Sequence, residues 1–288
     1  MKTGVLLVML ALGFALSVRV EGQAVNGPVT VIVHSGVLDL HALMWRPSGR
    51  GPFPAILFNH GSGHAGGQGD HRHPELLGPM FARHGYVFLY LFRRGDGLSA
   101  NQGTPSGDLM DAAQATKGME ARNQVQLHLL ETDEMSDALA GLGYLRTLHQ
   151  VDTQRIGVVG VSFGGSLTLL IAEREHNLRA IVVFATAGYS WERSPELRAR
   201  LTVAVGRIAV PVFFIHAAND YSVGPAKVLG PEMARLHKPY RVKIYPPVGQ
   251  TADEGHDFID LGVATWETDV FAYLDKYMKV SRRKRDKR

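Results

Sequence analysis

Cysteine is absent from the 288 residues. Disulfides, a thiolate nucleophile and cysteine metal sites are therefore all excluded. Excess positive charge is also scarce once it is located. The chain carries +4 overall, but its last eight residues, SRRKRDKR, hold six basic side chains and one acidic, a local +5 that leaves the remainder at −1. Aromatics make up only 8% of the chain, and no basic patch with interleaved aromatics occurs in the body, which argues against nucleic-acid binding. The reading gives residues 281–288 as a solvated basic tail.

Long apolar runs are missing with one exception. MKTGVLLVMLALGFALSV begins with a single lysine and is too short for a comfortable membrane span. Arg19 and Glu21 end it, and Val20 and Gly22 stand three and one positions before a plausible cleavage ahead of Gln23. This predicts residues 1–22 as a signal peptide, with an uncleaved anchor as the alternative. The expected product is secreted or periplasmic, with no integral membrane span after cleavage.

What is present from Gln23 onward is alternation. PVTVIVHSGVLDLHALMWRP predicts an antiparallel hairpin about Ser35 and Gly36. FPAILFNHG, YVFLYLFRRG, RIGVVGV, LRAIVVFAT, PVFFIHA and YRVKIYP read as strands. Between and after them lie helical patterns: PELLGPMFARHG, one long helix over LHLLETDEMSDALAGLGYLRTL, GGSLTLLIAERE, GPAKVLGPEMARLH and ATWETDVFAYLDKYMKV. Apolar strands alternating with helices predict an α/β fold with a mostly parallel sheet covered on both faces. No repeat or linker divides residues 23–280, which read as one catalytic domain. Residues 98–124 are polar, show no clear period, and read as the longest irregular piece and a possible cover.

The chemistry centres on GVSFG. Gly160 and Gly164 allow a sharp turn from strand to helix that would hold the Ser162 hydroxyl above the sheet. The N–H of Phe163 then points where an oxyanion would form. A bare G-x-S-x-G is weak, since a serine there could simply cap the helix; the preceding aliphatic strand and following helix strengthen it. A serine nucleophile needs a base, and the base needs an anion. Asp220 follows PVFFIHAAND, and His256 follows the next strand, in a loop before the last helix. Asp253 and Asp257 flank His256 as competing carboxylates, with His216 and His60 as competing bases. A second oxyanion donor is expected from the N–H of Ser62, in NHGSGHAGG.

Other features receive smaller roles. The G-x-G-x-x-G spanning Gly61 and Gly66 lacks the helix and acidic residue of a dinucleotide site. His71 and His73 lack helical ligand spacing, so neither metal nor cofactor is expected. Arg93 or Arg94 should pair with Asp96 or another carboxylate to hold its loop. Tyr189, Trp191 and Tyr221 are candidates for the wall of a substrate pocket, with simple packing under a cover as the alternative.

Together HGSG, RRGDGLS, VDTQRIGVVGVSFGG, HAANDYSV and GHDF resemble the dienelactone hydrolase-like branch of the α/β-hydrolases, over nearly all of residues 29–277. The resemblance implies the α/β-hydrolase fold, a Ser162–Asp220–His256 triad and hydrolysis through an acyl-enzyme. Dienelactone hydrolases carry a cysteine nucleophile; its absence here shifts the expectation toward a serine esterase acting on a small-molecule ester. The same motifs occur in prolyl-oligopeptidase-type peptidases, so amide cleavage is the alternative, followed by a non-catalytic binding protein on the same fold.

Overall fold

The computed structural model describes residues 27–66 and 72–279. The expected signal peptide, the tail 281–288 and the side chains of His71 and His73 lie outside the described residues.

Apolar strands explain the centre of the fold. β3 (Phe53–Asn59), β5 (Val151–Val161), β6 (Ile181–Phe184) and β7 (Val212–Ala217) are parallel neighbours, buried along most of their length. Helices cover them above and below, so both faces must be apolar where the strands are covered, and the covered stretches, in β5 only its second half, read as nearly continuous apolar runs. β4 (Val87–Leu91) lies parallel on the other side of β3, and β8 (Tyr240–Tyr245) parallel at the far edge. The N-terminal hairpin, β1 (Val29–Ser35) and β2 (Leu38–Trp45), joins antiparallel to β4. Among the described residues the sheet order is β1-β2-β4-β3-β5-β6-β7-β8.

Period-2 geometry divides the core in two. Ala55 and Leu57 of β3 face one layer, with α3 (Asp133–Thr147), α4 (Phe163–Arg174), α5 (Pro195–Arg207) and α6 (Gly224–Arg235). Ile56 and Phe58 face the other, with α1 (Arg72–Arg83) and the last helix, α9 (Val263–Met278). This is an α/β-hydrolase arrangement.

Three expectations need correction. Residues 98–124 are largely helical: a 3-10 segment, Gly97–Gln102, leads into α2 (Ser106–Glu131). α2 breaks at Gly118 (φ 82°, ψ −175°), and its second half buries the polar Arg122, Asn123 and Gln126. A helix whose buried face is polar shows no apolar stripe, which is why the pattern looked irregular. The long helix expected around Glu131 is split at Thr132 (φ −121°, ψ −96°), where α2 ends and α3 begins. The segment holding His256 is a short helix, α7 (Ala252–His256), followed by α8 (Phe258–Leu261) before α9. A reciprocal capping box between Thr251 and Glu254 starts α7.

Candidate active site

Ser162 stands where β5 turns into α4. Its φ of 56° and ψ of −117° lie outside the regions open to most residues. The neighbouring chains hold that strain in place. The Ser162 N–H donates to the Phe184 carbonyl at 2.9 Å. A Cβ at Gly160 would sit 2.3 Å from the Gly164 carbonyl oxygen, and one at Gly164 would sit 2.1 Å from that of Asn59. Both positions therefore exclude a side chain, and the turn packs against the end of β3. Gly164→Ala should cost about 1–3 kcal/mol by overpacking this turn. Urea unfolding checks it, and an unchanged midpoint would show that the turn relaxes freely.

The structure brings the three predicted side chains into one chain of hydrogen bonds. His256 Nε2 lies 2.8 Å from Ser162 Oγ, and His256 Nδ1 lies 2.7 Å from Asp220 Oδ1. The Nδ1 position is thus taken by Asp220 rather than by Asp253 or Asp257. Sequence spacing missed two supports. His216, fully buried on β7, bonds the other Asp220 oxygen through Nδ1 at 2.7 Å. Asn219 staples the Asp220 loop to the segment before α7. Its Nδ2 donates to the Val248 and Thr251 carbonyls at 2.8 and 2.7 Å, and its Oδ1 accepts from the Val248 N–H at 3.0 Å. A histidine four residues before the aspartate, in HAAND, was the available signal for His216. Nothing local marked Asn219. Of the competing bases, His216 bonds Asp220, and His60 Nδ1 bonds the Gly61 carbonyl at 2.9 Å.

A cavity of about 350 Å³ opens over Ser162. Ser62, Phe163, Tyr189 and Tyr221 line it, with Met110, Arg122 and Gln126 of α2 forming part of its wall. Tyr221 meets the His256 ring edge-on at 5.3 Å, and Tyr189 meets Tyr221 at 5.2 Å. The Tyr189 ring also takes the Arg122 guanidinium at 5.2 Å. Trp191 is not a pocket residue but takes the packing alternative: it is buried in the core and is absent from the cavity wall. It packs where Gly224 has no side chain, since a Cβ there would lie 2.3 Å from the indole. Burying so large an apolar ring outweighs its nearness in sequence to Tyr189.

The loop after β3 approaches from the other side. A Cβ at Gly61 would lie 3.7 Å from that of Ser162, and Ser62, the next residue, lines the same cavity. Phe163 is the first residue of α4, so its N–H has no intrahelical acceptor. Among the described residues, no group of three or more His, Asp or Glu side chains is arranged to hold a metal ion, and no helix is long and apolar enough to cross a membrane.

The sequence profile of the dienelactone hydrolase family matches residues 40–259, a span that contains Ser162, Asp220 and His256. The chain belongs to the dienelactone hydrolase family. Similarity to an inferred carboxymethylenebutenolidase of Methylorubrum extorquens is 28% identity over 185 residues, 61% of this chain and 57% of that protein. Among solved structures, the dienelactone hydrolase of Anabaena variabilis aligns with a TM-score of 0.58 at 16% identity, over 88% of this chain and all of that one. The acylaminoacyl peptidase of Pyrococcus horikoshii aligns at 0.62 and 17%, over 90% of this chain but only 43% of its own length. Both structures share the fold, and the family is one of hydrolases.

In this dienelactone hydrolase family member the electrostatics of Asp220 are set by two histidines. Burial would raise its carboxyl pKa, but the hydrogen bonds from His216 and His256 outweigh burial and hold it below the ordinary carboxylate value. A depressed native pKa contributes stability that is complete above the unfolded value, about 3.9, and is lost as pH falls through the native one. The urea midpoint of the wild type should therefore converge on that of Asp220→Asn as pH falls below about 4. An equal gap at about pH 5 and about pH 2.5 would show that the carboxylate is not held in this way.

Proposed function

We propose that this chain is a serine carboxylesterase that cleaves small or medium esters through an acyl-enzyme. The observation that carries the reading is the continuous hydrogen-bonded chain from Ser162 Oγ through His256 to Asp220, at 2.8 and 2.7 Å, at the floor of a cavity.

Protons move along that chain in a fixed order. His256 Nε2 takes the Ser162 hydroxyl proton as Oγ attacks the ester carbonyl. Asp220 accepts the Nδ1–H, fixing the tautomer that leaves Nε2 free and stabilising the imidazolium that forms. Negative charge developing on the carbonyl oxygen falls between the N–H groups of Ser62 and Phe163. The imidazolium then returns its proton to the departing alkoxide. Water, deprotonated by His256, attacks the acyl carbon and releases the acid. Ser162 recovers its proton and the cycle closes without a cofactor.

Amide cleavage is the second reading, because the chain also shares its fold with the acylaminoacyl peptidase of Pyrococcus horikoshii, over 90% of its own length. A panel of p-nitrophenyl esters and aminoacyl-anilides of graded acyl length separates the two. Short and medium esters should turn over at least about 10²-fold faster than anilides by kcat/KM, a difference of about 2.7 kcal/mol in transition-state stabilisation. The opposite order would favour the peptidase reading, and no turnover of either class would sink both.

A further inference from the structure

The stretch FRRGDGLS after β4 places two adjacent arginines in different work. Arg94 holds Asp137 of α3 through Nε at 2.9 Å and Nη2 at 2.8 Å. Arg93 is fully buried, with Nε on the Glu134 carboxylate of the same helix. Burial alone would lower the pKa of this guanidinium, but Glu134 and Asp96 beside it hold it charged, above its ordinary value. Its Nη2 reaches the loop after β3, donating to the carbonyls of His60 at 3.1 Å and Gly61 at 2.8 Å.

The second of these bonds has a geometric consequence. A trans peptide unit points its C=O and its N–H in opposite directions. The Gly61–Ser62 bond is trans, so the carbonyl that Arg93 holds turns the Ser62 N–H directly away from Arg93. Gly61 and Ser62 both line the cavity over Ser162. His60 reinforces the same plane. Its Nδ1 lies 2.9 Å from the Gly61 oxygen, which can only accept, so Nδ1 is the donor there, while its Nε2 lies 3.3 Å from the Arg93 backbone nitrogen and 3.7 Å from the Asp96 carboxylate. Two donors thus fix one carbonyl. The Arg93 guanidinium also lies 5.7 Å from the ring centroid of Phe163, the residue carrying the other proposed donor.

We infer that Arg93 is a positioning residue for the oxyanion hole, with Glu134 fixing the guanidinium and His60 as its auxiliary. The inference rests on the esterase reading above. Arginine suits this work because its planar fork presents Nε to a carboxylate and Nη2 to two carbonyls at once, which a lysine ammonium on a flexible stem does not. A buried ion pair adds little net stability compared with apolar packing, so stability alone is a weak reason to keep one here. Aiming one peptide plane is a sufficient reason.

The test is the paired variant Arg93→Met/Glu134→Gln, which removes both partners of the ion pair together, so that neither is stranded by loss of the other, and leaves the buried Asp96 in place. Kinetics on the best p-nitrophenyl ester, with wild type and Ser162→Ala alongside, should show kcat reduced about 10- to 100-fold, less than the loss of a whole oxyanion donor. KM should stay within about twofold, because the misaimed N–H acts on the transition state and not on bound substrate. The pH profile of kcat/KM should keep its shape, since the Ser162–His256–Asp220 chain is untouched. If the paired variant does not fold, Arg93→Lys carries the test. It keeps a cation opposite Glu134 without the fork, and the same kcat loss at unchanged KM is expected. A folded variant with wild-type kcat would overturn the inference and leave the esterase reading standing. A wild type no more active than Ser162→Ala would overturn both.

Discussion

Ser162→Ala should leave a folded protein that neither turns over esters nor takes a fluorophosphonate label. The change deletes one hydroxyl, the one bonded to His256 Nε2, and leaves the turn at φ 56° as it was. Alanine meets the same backbone strain as serine there, so the thermal midpoint should move little. Turnover should fall by about 10⁶-fold, the scale of losing a nucleophile whose partners act as a unit. Activity-based labelling followed by peptide mapping reads the site directly. A folded variant that still labels at full strength would show that another side chain is the nucleophile.

Asp220→Asn should reduce kcat by about 10³- to 10⁴-fold while the protein stays folded. The reason is specific to the two histidines that share this carboxylate. Both oxygens of Asp220 accept a hydrogen bond, one from His256 Nδ1 and one from His216 Nδ1. An asparagine offers one oxygen and one NH₂, so one histidine must lose its acceptor. His216 is fully buried, and its Nε2 has no partner among the described residues. Moving the His216 proton to Nε2 would strand a buried donor, which is costly. The asparagine oxygen should therefore turn to His216 and its NH₂ to His256. His256 would then carry its proton on Nε2 and could not accept one from Ser162. Steady-state kinetics decides the matter. If Asp253→Asn or Asp257→Asn is the crippling change and Asp220→Asn is mild, the acid has been misassigned.

Much of this protein is legible from local order. Strands covered on both faces read as nearly continuous apolar runs, so β3, β6, β7 and the second half of β5 stand out without alignment or coordinates. The elbow is also local, because Gly160 and Gly164 lie within two residues of Ser162 and the strand and helix around them are short-range patterns. The order of Ser162, Asp220 and His256 along the chain narrows the partners, since each follows a readable strand.

The tertiary structure decided what depends on side chains distant in sequence. Most of α2 escapes the periodicity because its buried residues include the polar Arg122, Asn123 and Gln126, and periodicity detects only apolar faces. Trp191 and Tyr189 are two residues apart, yet one fills the core and the other lines the cavity; the missing side chain at Gly224 made that choice. Arg93 and Glu134 lie 41 positions apart, and His256 and Asp220 lie 36 apart. A motif limits which residue types can meet at such distances. Which oxygen faces which nitrogen, and which peptide plane an arginine turns, follows only from packing the helices onto the sheet, because hydrogen bonds are directional and hydrophobic burial is not.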